Sequence, residues 1–198
     1  MKILIACEFS GITREAFAAL GHDVLSCDIL PTEIPGNHYQ GDVRDVLWEQ
    51  WDMIIAHPPC QYLANSGVRW LHTQEGRWEN MREGAEFFRM FMEHPCERKM
   101  IENSVMHKHA LEAIGGVKQT QSVQPYQFGI MQTKRICLWL TGLPPLVPTK
   151  DVKEEMMQLP YGERAKVHYE GPSPERAKNR ARWYPEIAAA QAAQWGHW

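Results

Sequence analysis

Apolar and polar positions along this chain fall into blocks that switch between a strand-like and a helix-like period. Lys2-Ile3-Leu4-Ile5-Ala6-Cys7 is a short apolar run with two isoleucines and predicts a buried strand. Arg14 to Leu20 brings Ala16, Phe17 and Leu20 to helical spacing, with Gly21 placed to end the helix. Val24-Leu25-Ser26-Cys27-Asp28 predicts a second strand that ends on an acid. After a connection containing Pro and Gly that leads to Gly41-Asp42, Asp52-Met53-Ile54-Ile55-Ala56 predicts the next strand. His57 to Arg77 is polar, aromatic and turn-rich and predicts a long loop. Asn80 to Glu93 has helical spacing, with Ala85, Phe88 and Met92 near one face. Lys99 to Glu102 predicts a strand, Lys108 to Ile114 a helix closed by Gly115-Gly116, and Arg135 to Leu140 another strand. Pro185 to Trp195 predicts a closing helix, because proline suits a first helical turn and Gly196 suits the stop.

Strands that alternate with helices imply βαβ units, hence an α/β fold with a mostly parallel central sheet covered on both faces. Ligands in such sheets bind beyond the carboxyl ends of the strands, so the residues just after each strand carry the candidate chemistry. A length of 198 residues fits one domain. Thr141 to Pro174 holds six of the 13 prolines and predicts an irregular excursion, reaching to about residue 180, before the closing helix.

Composition narrows the class. With 44% hydrophobic and 23% charged residues the chain is globular, not disordered or collagen-like. No apolar run approaches the roughly 18 residues of a membrane span. Leu4-Ile5-Ala6-Cys7 superficially matches a lipoprotein cleavage box, but its apolar run is too short and Glu8 follows at once. The cysteines, Cys7, Cys27, Cys60, Cys96 and Cys137, are scattered and form no Cys-x-x-Cys pair. That pattern predicts reduced thiols and a cytoplasmic location. No metal site is expected, since His94/Cys96 and His107/His109 each lack a second ligand pair. The net charge of −3 hides an asymmetry: residues 1–60 carry 3 Lys/Arg against 9 Asp/Glu, the remainder 18 against 15. Arg176, Lys178, Arg180 and Arg182 form a basic run that reads either as a phosphate-contacting patch or as a solvated face.

The strand ends hold three sets of candidates. After the first strand comes Glu8-Phe9-Ser10-Gly11-Ile12-Thr13, and Asp28 closes the second. A glycine admits close backbone approach, and a carboxylate at the second strand's end accepts ribose hydroxyls, so this geometry suits an adenosine site; Asp42 would accept from the adenine amino group. An acid after a strand is equally a helix cap. After Ala56, Pro58 and Pro59 stiffen the backbone that presents Cys60, a candidate nucleophile. Cys7, Cys27 and Cys137 read as small buried residues. Glu102-Asn103 ends the next strand and adds a carboxyl group, and Lys134 brings a cation to the same rim.

Taken together and in this order, these segments resemble the cytosine-5 DNA methyltransferases, with small phage and prophage members the most similar. Phe9-Ser10-Gly11-Ile12 resembles their donor-binding loop, and Asp28 and Asp42 their ribose and adenine contacts. Pro59-Cys60-Gln61 resembles their catalytic Pro-Cys-Gln and Ile101-Glu102-Asn103-Ser104 their Glu-Asn-Val. Phe128 to Lys134, which includes Gln132, resembles their Phe-Gly-x-Pro-Gln-x-Arg. The resemblance spans roughly residues 1–140. It implies a Rossmann-like class I methyltransferase fold, S-adenosylmethionine as cofactor held by Phe9, Ser10, Gly11, Ile12, Asp28, Asp42 and Pro58, and DNA as partner. It further implies addition of Cys60 to cytosine carbon 6, assistance from Glu102 at ring nitrogen 3, fixing of the Pro59-Cys60 loop by Asn103, and base contacts from Lys134, Pro59, Gln61 and Gln132. A base inside a duplex must be flipped out for such chemistry.

The departures from the family pattern are specific. Thr13 stands where the family has a second glycine, Met131 where it has proline, and Lys134 and Ile136 where it has arginines. The family's target-recognition domain is replaced by the short segment from Thr141 to Arg180, so the expectation is weak or very short sequence specificity, dependence on a partner protein, or a substrate other than duplex DNA, such as a single strand. The run from Arg176 to Arg182 then supplies phosphate contacts. Three alternatives stand beside this reading: a non-catalytic nucleic-acid or methyltransferase-partner module, an amino-group methyltransferase, and an RNA or free-nucleotide methyltransferase. Trp70 and Trp78 are candidates for base stacking.

Overall fold

The computed structural model describes residues 1–169, 171, 173 and 175–197. Seven strands form one sheet: β1 (Lys2–Ala6), β2 (Asp23–Asp28), β3 (His38–Gln40), β4 (Met53–Ala56), β5 (Lys99–Asn103), β6 (Gln121–Val123) and β7 (Ile136–Thr141). Their order is β3-β2-β1-β4-β5-β7-β6. β3, β2, β1, β4 and β5 pair in parallel, and β7 runs antiparallel to both β5 and β6. The arrangement is the Rossmann-like class I methyltransferase fold expected from the sequence, with one reversed strand inserted near the edge. The chain order reverses direction across the sheet between β1 and β4, which opens the crevice where doubly wound sheets hold their ligands.

Nine helices occur among the described residues: α1 (Ile12–Ala18), α2 (Arg44–Leu47), α3 (Arg77–Glu93), α4 (Lys108–Ala113), α5 (Lys153–Met157), α6 (Tyr161–Arg164), α7 (Lys166–Tyr169), α8 (Arg176–Ala181) and α9 (Pro185–Trp195). The alternation inside β1 sorts its side chains to two cores. Leu4 and Ala6 face one side with Ile54, Ile101 and Trp139, packed against Leu47, Phe88, Phe91 and Ala110 of α2, α3 and α4. Ile3 and Ile5 face the other with Ile55, Met100 and Leu138, packed against Phe17 of α1 and Ile187, Ala188 and Trp195 of α9. Strands buried on both faces are apolar at nearly every position, which is why β1 and β4 stand out in the sequence.

Several expectations are corrected in detail. The loop expected over His57 to Arg77 contains a 3-10 segment, Asn65–His72, and α3 begins at Arg77 instead of Asn80. The stretch expected to be irregular between Thr141 and Arg180 holds the short helices α5 to α8. Pro172 and Pro174 of that stretch lie outside the described residues. β3 and β6, of three residues each, were not expected: a strand that short has no periodicity to read.

Candidate active site

The parallel strands all end on one rim, and the segments singled out in the sequence lie along it. β1 gives way to a loop in which Gly11 takes φ +78, a left-handed conformation that glycine adopts without a Cβ penalty. A Cβ there would sit 2.9 Å from Ile34 Cβ and 2.8 Å from Arg14 Nη2. The β2–β3 connection thus packs directly on the loop, and the Glu33 amide donates to the Phe9 carbonyl at 2.9 Å. Phe9 and Ser10 are buried, and the Ser10 hydroxyl donates to the buried carboxylate of Glu8.

Asp28 ends β2 half-buried. Its Oδ1 accepts the Leu30 amide at 2.9 Å, and no ion pair among the described residues involves it. Burial pushes its carboxyl up from the usual range. A half-buried carboxylate without a cation at the end of the second strand fits a site that binds two hydroxyl groups, so the residues present suit the ribose of S-adenosylmethionine. Asp42 has a different setting. It is exposed, accepts the Arg44 amide at 2.9 Å and pairs with the Arg44 guanidinium at 3.0 Å, so it also starts the turn into α2.

β4 leads into His57-Pro58-Pro59-Cys60. Pro58 is buried, Pro59 exposed and Cys60 half-buried with a free thiol. The Cys60 carbonyl accepts the amides of Leu63 and Ala64 at 3.1 and 2.9 Å, which turns the chain sharply behind the thiol. Fully buried Asn103, at the end of β5, donates Nδ2 to the Pro58 carbonyl at 3.1 Å and so ties the cysteine loop to that strand. Glu102, one residue earlier, meets His57 across the same gap, with His57 Nδ1 3.4 Å from Glu102 Oε2. Gln61 is exposed, and its carbonyl accepts Arg77 Nη2 at 2.7 Å.

The remaining thiols are held differently. Burial pushes the thiols of Cys7, Cys27, Cys96 and Cys137 up, Cys27 to about 12, so these four remain neutral.

Lys134 and Gln132 close the rim from the segment before β7. Lys134 Nζ donates to the Arg180 carbonyl at 3.2 Å and lies 5.5 Å from the Tyr184 ring centre, and the Tyr184 hydroxyl donates to Gln132 Oε1 at 3.1 Å. Burial, and secondarily the Glu102 charge, pushes the Tyr184 phenol up to about 12. The basic run is partly consumed internally. Arg182 grips Glu33 with two bonds of 2.8 and 2.6 Å, and Lys178 reaches the same carboxylate at 3.3 Å while lying 5.5 Å from the Phe9 ring centre. Arg176 and Arg180 make no ion pair among the described residues; Arg176 Nε is buried. Trp78 packs on His72 and His109, and Trp70 lies beneath the Arg69 guanidinium.

Three residues that sequence reasoning did not place in the site belong to its wall: His57, Trp183 and Glu33. His57 opens the stretch after β4 that the sequence predicts as a loop. Trp183 packs against it with ring centres 4.4 Å apart and planes tilted by 56°. Among the described residues there is no cluster of three or more metal-ligating side chains, and no helix is long and apolar enough to cross a membrane.

No protein-family model matches the chain, and no curated protein is similar to it in sequence. Among solved structures it is similar to a prophage-encoded E. coli protein assigned as a DNA modification methyltransferase, with TM-score 0.47, 16% identity, and coverage of 81% of this chain and 56% of that one. The Entamoeba histolytica methyltransferase EhMeth gives TM-score 0.48 and 13% identity over 76% of this chain and 57% of its own. The S. pombe Dnmt2 methyltransferase gives 0.45 and 12% over 80% and 54%. The chain spans a little more than half the length of each. All three are described as methyltransferases, and the likeness is one of fold.

Proposed function

We propose that this chain transfers a methyl group from S-adenosylmethionine to carbon 5 of cytosine in DNA, through a covalent adduct on Cys60. The observation that carries this reading is the clamp between Asn103 and Pro58, which fixes the loop bearing Cys60 against the end of the strand bearing Glu102. A nucleophile and a carboxyl group held on adjacent strand ends match what an electron-poor ring requires.

Cytosine carbon 5 is not nucleophilic until the ring is saturated at carbon 6. In the proposed reaction the Cys60 thiolate forms a bond to carbon 6. The displaced electron pair is delocalised toward ring nitrogen 3, where Glu102 delivers a proton and stabilises the adduct. Carbon 5 becomes enamine-like. The donor, when bound, supplies an electrophilic methyl group to that carbon. Loss of the carbon 5 proton to solvent then restores the double bond and expels Cys60, while nitrogen 3 returns its proton to Glu102. Phe9, Ser10, Gly11, Ile12, Asp28, Asp42 and Pro58 would hold the donor. Lys134, Pro59, Gln61 and Gln132 would contact the base, with Arg176, Lys178, Arg180 and Arg182 toward phosphates.

We further read the chain as one catalytic domain in which the short helices α5 to α8 occupy the place of a target-recognition domain. Sequence specificity is then short or supplied by a partner protein. The free thiols suit a reducing, cytoplasmic compartment. The test is incubation with methyl-tritiated S-adenosylmethionine and cytosine-containing DNA, alongside an oligonucleotide carrying 5-fluorodeoxycytidine. Fluorine cannot leave carbon 5 as a proton does, so the adduct persists. Label in DNA and a trapped complex, both lost in Cys60→Ala, are expected. Label that persists in Cys60→Ala would overturn the covalent mechanism in favour of amino-group transfer.

A further inference from the structure

We propose that His57 is a positioning residue for Glu102, holding one carboxyl oxygen through Nδ1 so that the other faces the ring nitrogen of the base. The proposal rests on the cytosine-5 reading and deepens it. Its basis is geometric. His57 Nδ1 and Glu102 Oε2 are 3.4 Å apart, with side chains only 7% and 14% exposed. The imidazole is kept from turning away by Trp183, itself buried, which packs against it with ring centres 4.4 Å apart and planes tilted by 56°.

His57 Nε2 is buried with no hydrogen-bond partner among the described residues. A bare lone pair in that position is cheaper to bury than an unpaired N–H. The ring therefore carries a hydrogen on Nδ1, aimed at Glu102, and occupies Oε2 so that Oε1 remains for the base. The other titratable groups around the pair come from separate elements. Asp28 at the end of β2 interacts with His57 by charge alone, Tyr184 ahead of α9 feels the Glu102 charge, and Lys134 lies above the Tyr184 ring. Glu102 is the group within hydrogen-bonding reach of His57 among the described residues.

Held in this way, Glu102 presents Oε1 to ring nitrogen 3. When Cys60 adds to carbon 6, the proton passes from Glu102 to nitrogen 3, and when Cys60 leaves, nitrogen 3 returns it to the same carboxyl group. Without the imidazole the carboxyl group is free to turn away from the base, so fewer encounters of base and thiol lead to the adduct.

The test uses a partial reaction that needs no donor. Addition of Cys60 with protonation at nitrogen 3 lets carbon 5 exchange its hydrogen with solvent. Exchange is followed by mass spectrometry of a single-stranded oligodeoxycytidine in deuterated buffer. His57→Asn and His57→Gln are compared with the wild type after their melting temperatures establish folding, and at least one polar substitute is expected to fit beside Trp183. The expected result is a loss of about tenfold or more in the maximal exchange rate of His57→Gln, with the oligonucleotide concentration at half-maximal rate little changed. His57→Asn, whose amide nitrogen can stand near the place of Nδ1, should recover part of that rate. An equal loss in both variants, or no loss in either, assigns His57 a packing role only and overturns the proposal. Absence of exchange in the wild type, together with no methyl transfer, overturns the cytosine-5 reading and the proposal with it.

Discussion

Asn103 and Pro58, 45 residues apart in sequence, are joined by a 3.1 Å hydrogen bond from the Asn103 side-chain amide to the Pro58 carbonyl. Proline lacks an N–H, so the loop ahead of Cys60 has few ways to be held from outside, and this carbonyl is one of them. Asn103 Oδ1 also accepts the Ser104 amide at 3.0 Å, so both ends of a fully buried side chain are satisfied. Asn103→Ala is expected to cost about 1–3 kcal/mol in urea unfolding, because it strands a buried carbonyl. Asn103→Ala is also expected to lower methyl transfer more than donor binding. Unchanged stability together with an unchanged rate would show that the clamp has no role.

The proposed donor site is built on the backbone at Gly11. Gly11→Ala forces a side chain into φ +78, at about 1–2 kcal/mol, and within 2.9 Å of Ile34 Cβ. Calorimetric titration with S-adenosylmethionine should show little or no binding to this variant and a roughly tenfold or greater loss for Asp28→Asn. Wild-type affinity in both would move the donor site away from the β1 and β2 ends.

Burial pushes the thiols of Cys7, Cys27, Cys96 and Cys137 up, Cys27 to about 12. Alkylation of the folded protein at pH 8 is therefore expected to label Cys60 first, with Cys7, Cys27, Cys96 and Cys137 reacting on unfolding. Peptide mapping reads the outcome. Equal labelling of all five would contradict the assignment of Cys60 as the accessible nucleophile.

Much of this architecture is legible in the sequence, and the exceptions share a cause. β1, β4 and β5 are read from apolar runs because both faces of each strand are covered, and α9 from its flanking proline and glycine. The contacts that distinguish the site join distant positions: His57 with Glu102, Trp183 with His57, and Arg182 with Glu33, 149 residues away. No local pattern records such pairs. A basic run that reads as a phosphate patch is for that reason found with two of its members bound to one acidic side chain.

That acidic side chain gives a pH-dependent prediction. Hydrogen bonding by Arg182, and then by Lys178, holds the Glu33 carboxyl below its usual range. Its contribution to stability is therefore fully present above about pH 4.3, the unfolded value, and is lost as pH falls through the lower folded value. The pair is partly exposed, so the contribution is under about 1 kcal/mol and weakens in salt. Glu33→Gln should lower the melting temperature slightly at pH 7 and low salt, and the difference should vanish in strong acid. A difference that grows in acid would have the wrong sign for this latch.

The central claim is that Cys60 drives methylation at carbon 5 of cytosine in DNA. Nucleoside mass spectrometry of DNA from cells expressing the wild type or Cys60→Ala tests it most directly. The account predicts 5-methyldeoxycytidine with the wild type and none with Cys60→Ala. Unaltered DNA in both, or an amino-methylated base that survives in Cys60→Ala, would contradict it.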